Sequence, residues 1–159
     1  MTDLKISVLI PTYNRPEYLR EALKSVLDQS LKPYEVIVAD DNPNEEINKK
    51  NFEVANEFAK DYPFIKYHKN EKNLGPAENY KNLFYLASGD LIHFLDDDNI
   101  LAPYTLEELS KPFKDDNIAV SAGKTLFVDE RLKVIYLPVF KNHLEFYDKN
   151  FNDSCVNGK

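Results

Sequence analysis

Ile6 to Ser30 reads ISVLIPTYNRPEYLREALKSVLDQS, and this stretch decides the fold class. Its first five residues, Ile6 to Ile10, form a continuous β-branched-rich run. Such a run suits a strand buried on both faces of a parallel sheet. Pro11 is expected to end it. Asn14 with Glu17 three residues later resembles a capping box, and Pro16 fits the first helical turn. Leu19, Ala22, Leu23, Val26 and Leu27 then share one helix face. The unit is therefore strand, turn, helix, closed by Pro33.

The same alternation continues outward. Glu35 to Ala39 reads as a second buried strand, followed by Asp40, Asp41 and by Asn42, Pro43 and Asn44, which form a turn and a helix cap. A helix is predicted over Glu45 to Lys60, with Ile47, Val54, Phe58 and Ala59 inward. Phe64 to His68 forms a third strand and Lys69 to Gly75 a polar loop. Pro76 opens a helix carrying Ala77, Tyr80, Leu83, Phe84 and Ala87 on one side, with Gly89 as its C′ glycine. Leu91 to Leu95 is the fourth strand and runs into Asp96-Asp97-Asp98-Asn99. A helix over Pro103 to Phe113 follows, with Leu106, Leu109 and Phe113 inward. Ile118 to Val128 and Lys133 to Leu137 read as further strands. From Val139 the pattern fades.

This order predicts an α/β fold, a mostly parallel sheet with helices on both faces. Ligands of such sheets bind outside the carboxyl ends of the strands. Thr12 to Arg15, Asp40-Asp41 and Asp96 to Asp98 all fall at such ends, so the topology gathers them at one edge.

Composition narrows the function. A net charge of −7 disfavours gripping a nucleic-acid backbone, which takes Lys and Arg. No stretch approaches the roughly 20 apolar residues of a membrane span. The N-terminal apolar run is too short for a secretory signal, so a cytoplasmic protein is expected. The single cysteine, Cys155, makes no intrachain disulfide and reads as a free thiol. His68, His93 and His143 have no metal-site spacing and read as structural.

Three adjacent aspartates repel one another unless something compensates. A divalent cation would, and all-oxygen ligands suit Mg²⁺ or Mn²⁺. On an extended segment Asp96 and Asp98 point the same way, so both reach one ion while Asp97 faces elsewhere. A plain turn, or a cap for the helix near Pro103, accounts for the same residues. A calcium loop fails, because its sixth position would be Leu101 rather than glycine. Dinucleotide and P-loop glycine patterns are absent. A nucleotidyltransferase would want a Gly- and Arg-rich loop where PTYNRP stands. A phosphoacceptor receiver domain would carry its acidic pair after the first strand, not the second.

Three strings in order resemble the family 2 glycosyltransferases, which have the GT-A fold: Ile6 to Ser30, YEVIVADDNPN at Tyr34 to Asn44, and NEKNLGPAENYKNLFYLASGDLIHFLDDDN at Asn70 to Asn99. The likeness covers about the first 110 residues. It implies a nucleotide-sugar-binding subdomain over 1–110 and the start of an acceptor-side region, truncated, over 111–159. By that resemblance Pro11, Thr12, Tyr13 and Arg15 line the nucleotide. Asp41, rather than Asp40, accepts from the base. Asn73, Gly75 and Asn79 approach the sugar and diphosphate, and Asp97 joins the nucleotide contacts. Asp96 and Asp98 match the D-x-D motif, with Asp98 the direct metal ligand and Mn²⁺ or Mg²⁺ the cofactor. The implied reaction is an inverting, metal-dependent transfer from a nucleotide sugar, by family habit a UDP-sugar, to a glycan, lipid-linked or protein acceptor. No match for the family's catalytic base stands between Lys114 and Lys159; Asp129 and Glu130 fit by position only, and the base is expected beyond Lys159. Donor binding without turnover is the alternative. The apolar stretch from Val139 to Phe151 is a candidate for self-association into a homo-oligomer.

Overall fold

Parallel strands in the order β3-β2-β1-β4 make the sheet, with β1 at Ile6–Thr12, β2 at Glu35–Asp40, β3 at Ile65–Lys69 and β4 at Leu91–Phe94. The helices between them are α1 (Pro16–Leu27), α2 (Glu45–Ala59) and α3 (Pro76–Leu86), and α4 (Thr105–Ser110) follows β4. The computed structural model describes residues 4–123, 125–129, 131 and 133, which fall into two units divided after Ser110.

Alternation along the central strands explains their unbroken apolar character. Val8 and Ile10 of β1 and Val36 and Val38 of β2 pack with Leu19, Leu23 and Val26 of α1 and Val54 of α2. Leu9, Ile37 and Ala39, one residue out of phase, pack with Leu83 of α3 on the other face. Both faces are thus covered, as the buried runs required.

Several boundaries differ from the sequence reading. Pro11 does not end β1; it pairs with Ala39, and the strand continues to Thr12. Pairing to β4 stops at Leu9 with Phe94, so the proline's missing N–H points where no strand remains to accept from it. Asn14 is not the cap of α1: it adopts φ 61°, and Arg15 takes the cap position without a side-chain bond. Asn tolerates this left-handed turn, which aims Tyr13 and Arg15 at the sheet's carboxyl edge instead of back at the helix. Asn44 caps α2 as its sequence suggests, accepting from Glu46 and Ile47 N–H.

The inward face of α2 is Asn48, Asn51, Val54 and Ala55, more polar than the apolar pattern predicted. That of α3 is Asn79 and Leu83, while Phe84 is left 56% exposed. Gly89 is not a C′ glycine, since Ala87 ends α3 in extended geometry. Its role is close approach: a Cβ there would lie 2.6 Å from Ser7 Oγ and 2.7 Å from the Lys5 carbonyl.

The segment after β4 is moored to α1. Gln29 is buried, donates to the Ser25 and Ala102 carbonyls, and accepts from Leu106 N–H. Ser25 Oγ accepts from Leu101 N–H. These bonds hold the chain that leaves the acidic triplet.

The helix expected over Pro103 to Phe113 is α4 followed by a 3₁₀ turn at Lys111–Lys114. Pro112 has no N–H for an α-helical bond. In the second unit none of the described residues from Ile118 to Val128 belongs to a strand; Val128 makes one isolated bridge, and Val120 is 81% exposed. A single bridge does not build a ladder. Beyond Lys133, the strand expected to Leu137 lies outside the described residues, as do His143, the apolar stretch Val139 to Phe151 and Cys155. Among the described residues no helix is long and apolar enough to cross a membrane.

Candidate donor-binding cleft

At the carboxyl edge of the sheet lies a cleft of about 450 Å³. Pro11, Thr12, Tyr13 and Arg15 from the end of β1 line it, with Asp41 from the end of β2. Asn73, Gly75 and Asn79 from the start of α3 join them, as do Asp96, Asp97 and Asp98 from the end of β4. Every nucleotide- and metal-site candidate named in the sequence therefore lines one cleft. Pro76 and Tyr80 complete the lining.

The acidic triplet is a turn, closed by Asn99 N–H donating to the Asp96 carbonyl at 3.0 Å. On this turn Asp97 and Asp98 meet at Arg15 Nη1, while Asp96 receives the Tyr80 hydroxyl. Asp97 is 5% exposed and staples β1 to β4. It accepts from Thr12 Oγ1 at 2.7 Å, Tyr13 N–H at 3.3 Å and Arg15 Nη1 at 3.3 Å. Burial raises its pKa, while those donors pull the other way. Asp98, its side chain 45% exposed, accepts from Arg15 Nη1 at 2.5 Å. Asp96 accepts from the Tyr80 hydroxyl through Oδ1. Burial, then the bond to Asp96, pushes the Tyr80 hydroxyl's pKa upward, so it stays protonated and donates.

Adjacent aspartates at the end of β2 have separate fates. Asp40 is sealed off: it accepts from Asn42 N–H, Asn48 Nδ2, Asn51 Nδ2 and the Tyr67 hydroxyl, and it does not line the cleft. Asp41 does line it. Its Oδ1 accepts from Asn70 Nδ2 at 2.9 Å and Leu74 N–H at 2.7 Å, and its Oδ2 from Gly75 N–H at 2.8 Å. Asp41 thereby holds the loop before α3. Gly75 has φ 80°, a conformation that favours glycine. Asn70 also donates to Asn79 Oδ1, and Asn79 Nδ2 donates to the Ala39 carbonyl.

Sequence reading missed Tyr80 as a site residue and placed it on an apolar helix face. A signal was present: Tyr80 lies four residues after Pro76, so both face the same way. The buried asparagines Asn48, Asn51 and Asn70 were missed because asparagine usually marks turns. Of the two positional guesses for a base, Asp129 accepts from Arg131 and Lys133 N–H, closing a turn in the second unit. Glu130 lies outside the described residues.

Among the described residues the lining offers a cation oxygen donors, with no His or Cys. Asp96 Oδ2 and Asp98 Oδ1 have no protein donor among the described residues. Among the described residues no three acidic, His or Cys side chains converge as a ready-made cage. The set fits a hard cation that keeps most of its coordination for water or ligand oxygens.

The model of the family described as Glycosyl transferase family 2 matches residues 7–156. The GalNAc(5)-diNAcBac-PP-undecaprenol beta-1,3-glucosyltransferase of Campylobacter jejuni is 39% identical over 106 residues, 66% of this chain and 33% of that protein. S. aureus TarS 1-349 in complex with UDP-GlcNAc superposes with TM-score 0.55 at 28% identity, over 66% of this chain and 30% of that chain. The mannosyltransferase PcManGT from Pyrobaculum calidifontis, in complex with GDP-Man and Mn²⁺, gives TM-score 0.63 over 72% of this chain and 34% of its own. At 21% identity that last likeness is one of fold. The chain spans under half the length of the curated relatives it matches. With a GT-A fold and a family match over nearly its whole length, the chain belongs to glycosyl transferase family 2.

Proposed function

We propose that the cleft binds a nucleoside-diphosphate sugar, with UDP as the nucleotide, and that the whole protein transfers the sugar to a hydroxyl of a glycan, lipid-linked or protein acceptor with inversion. One observation carries this reading: residues from three separate strand ends and the α3 loop converge on a single cleft holding four carboxylates and one guanidinium. An anionic donor would be repelled there without a cation. Asp98, with Asp96 beside it, would hold Mn²⁺ or Mg²⁺, and such an ion offsets charge growing on the departing diphosphate. Tyr13, half-exposed at the mouth, offers a ring to the base, and Asp41 offers a carboxylate to its N–H. Thr12 and Asp97 hold the β1 and β4 ends together beneath the nucleotide. The TarS complex with UDP-GlcNAc supports the choice of nucleotide.

In an inverting transfer, a carboxylate removes the acceptor proton while the hydroxyl attacks opposite the diphosphate. That base belongs to the acceptor half of the reading, with residues 111–159 as its beginning. A second reading, donor binding without turnover in this chain alone, draws on the short span of the chain within its relatives. Calorimetry with UDP, with and without Mn²⁺, tests the binding proposal; metal-independent binding would overturn its cation. Assay of UDP released from UDP-sugars separates the two readings.

A further inference from the structure

Among the described residues, the one cationic side chain lining the cleft rests on the carboxylate that the cation would need. Arg15 Nη1 bridges Asp98 Oδ2 and Asp97 Oδ1. The two halves of the bridge are unequal. The Asp97 side chain is 7% exposed and held also by Thr12 and Tyr13, so it is a fixed anchor. The Asp98 side chain is 45% exposed and has no other donor among the described residues. Half-exposed ion pairs are weak and easily exchanged. A guanidinium carries five N–H donors, and among the described residues only Nη1 of Arg15 is engaged. The remaining donors sit in a cleft where, among the described residues, an anionic ligand meets no other side-chain cation.

We infer that Arg15 is a built-in counter-ion for Asp98, which it neutralises in the donor-free protein and yields to the cation when a nucleoside diphosphate arrives. Arg15 keeps its anchor on Asp97 and turns its unused donors to the diphosphate. It is a positioning and specificity residue, and its side chain is a competitor for the metal site. The inference rests on the cation reading of Asp98 given above. A cation alone must displace Arg15 without recompense, so it binds weakly. A cation together with a diphosphate binds cooperatively, because the diphosphate favours the displaced arginine. By linkage each ligand strengthens the other by the same factor.

The test uses the full chain with Mn²⁺ alone, followed by electron paramagnetic resonance of the free ion, and then UDP at saturating Mn²⁺ by calorimetry. In Arg15→Ala, affinity for Mn²⁺ alone should rise about fivefold, while UDP affinity at saturating Mn²⁺ should fall about tenfold. Arg15→Lys should lie between, since it keeps the charge but not the planar fork. Unchanged or weaker Mn²⁺ binding in Arg15→Ala would overturn the inference, provided its melting midpoint matches the wild type. Should that variant fail to fold, Arg15→Gln is read by the same criteria. Failure of the underlying reading looks different: the wild type would take up no Mn²⁺ even with UDP, and both ideas would fall. If the wild type takes up Mn²⁺ with UDP and the Arg15 variants do not shift, only the counter-ion role falls.

Discussion

Strand β2 begins at Glu35 and ends at Asp40, next to Asp41, and only this carboxyl end brings a carboxylate to a cleft. Glu35, 1% exposed, accepts from Ser7 Oγ, Lys66 Nζ and both the N–H and hydroxyl of Ser88. Burial alone would raise its pKa, but Lys66, Ser7 and Ser88 outweigh that and hold it at about 2. Ser7 in turn accepts from Gly89 N–H. This amino-edge network is closed, and it ties together β1, β2, β3 and the turn into β4. At the carboxyl edge, Asp40 is equally closed, but Asp41, Asp96 and Asp98 face a cleft. Among the described residues Asp98 has a single donor, which half-exposure leaves free to exchange. Satisfied polar groups rigidify a fold. Incompletely satisfied ones, gathered on that rigid frame, are what a ligand can use. The contrast separates the residues that build the sheet from those available for binding.

The strongest way to break the comparison is Asp98→Asn. If the open edge binds through a cation, UDP affinity measured calorimetrically in Mn²⁺ should drop about 100-fold, with an unchanged melting midpoint. Retained affinity would place the functional carboxylate elsewhere.

Gly89→Ala probes the closed edge. The new methyl meets the Lys5 carbonyl at 2.7 Å, which is backbone and yields little. Overpacking of this kind costs about 2 to 3 kcal/mol, visible as a lower urea midpoint, while UDP affinity per folded molecule stays the same.

Glu35→Gln should cost about 2 kcal/mol through the lost charge-assisted bonds. Its pH signature is sharper than its size. The folded carboxyl sits at about 2 against an ordinary 4.5, so its stabilisation is complete above pH 4.5 and is lost as pH falls toward 2. Urea midpoints measured from pH 6 to 2 should therefore converge for wild type and variant at the acid end. Parallel curves would deny Glu35 this role.

Tyr80→Phe should have the smallest effect. Losing the hydroxyl frees Asp96 Oδ1, and UDP affinity in Mn²⁺ should weaken about threefold at most. A loss as large as that of Asp98→Asn would make Tyr80 a direct ligand contact.

Much of the frame was legible from the chain alone. The continuous apolar runs at Ile6 and Glu35 announced strands covered on both faces, and the two core clusters on either side of β1 and β2 bear that out. Asn44 announced the start of α2. Each of these signals is local, written within a few residues. Gly89 looked like a helix stop because a C′ glycine and a close-approach glycine are indistinguishable in sequence. Asn14 looked like a cap because its φ of 61° depends on where Tyr13 and Arg15 are drawn. Ile118 to Val128 looked like a strand because its composition suits one, whereas a strand also needs a neighbour.

By itself, the sequence determined the order of strands and helices and, through it, that three polar strand ends share one edge. Periodicity and turn chemistry act over a few residues, and parallel connection does the rest. Tertiary structure decided which of Asp40 and Asp41 faces the cleft, that Tyr80 belongs to it, and that Arg15 sits on Asp98. Those outcomes depend on bonds such as Thr12 to Asp97, 85 residues apart. No local pattern encodes them, because the partners become neighbours only when the sheet is assembled.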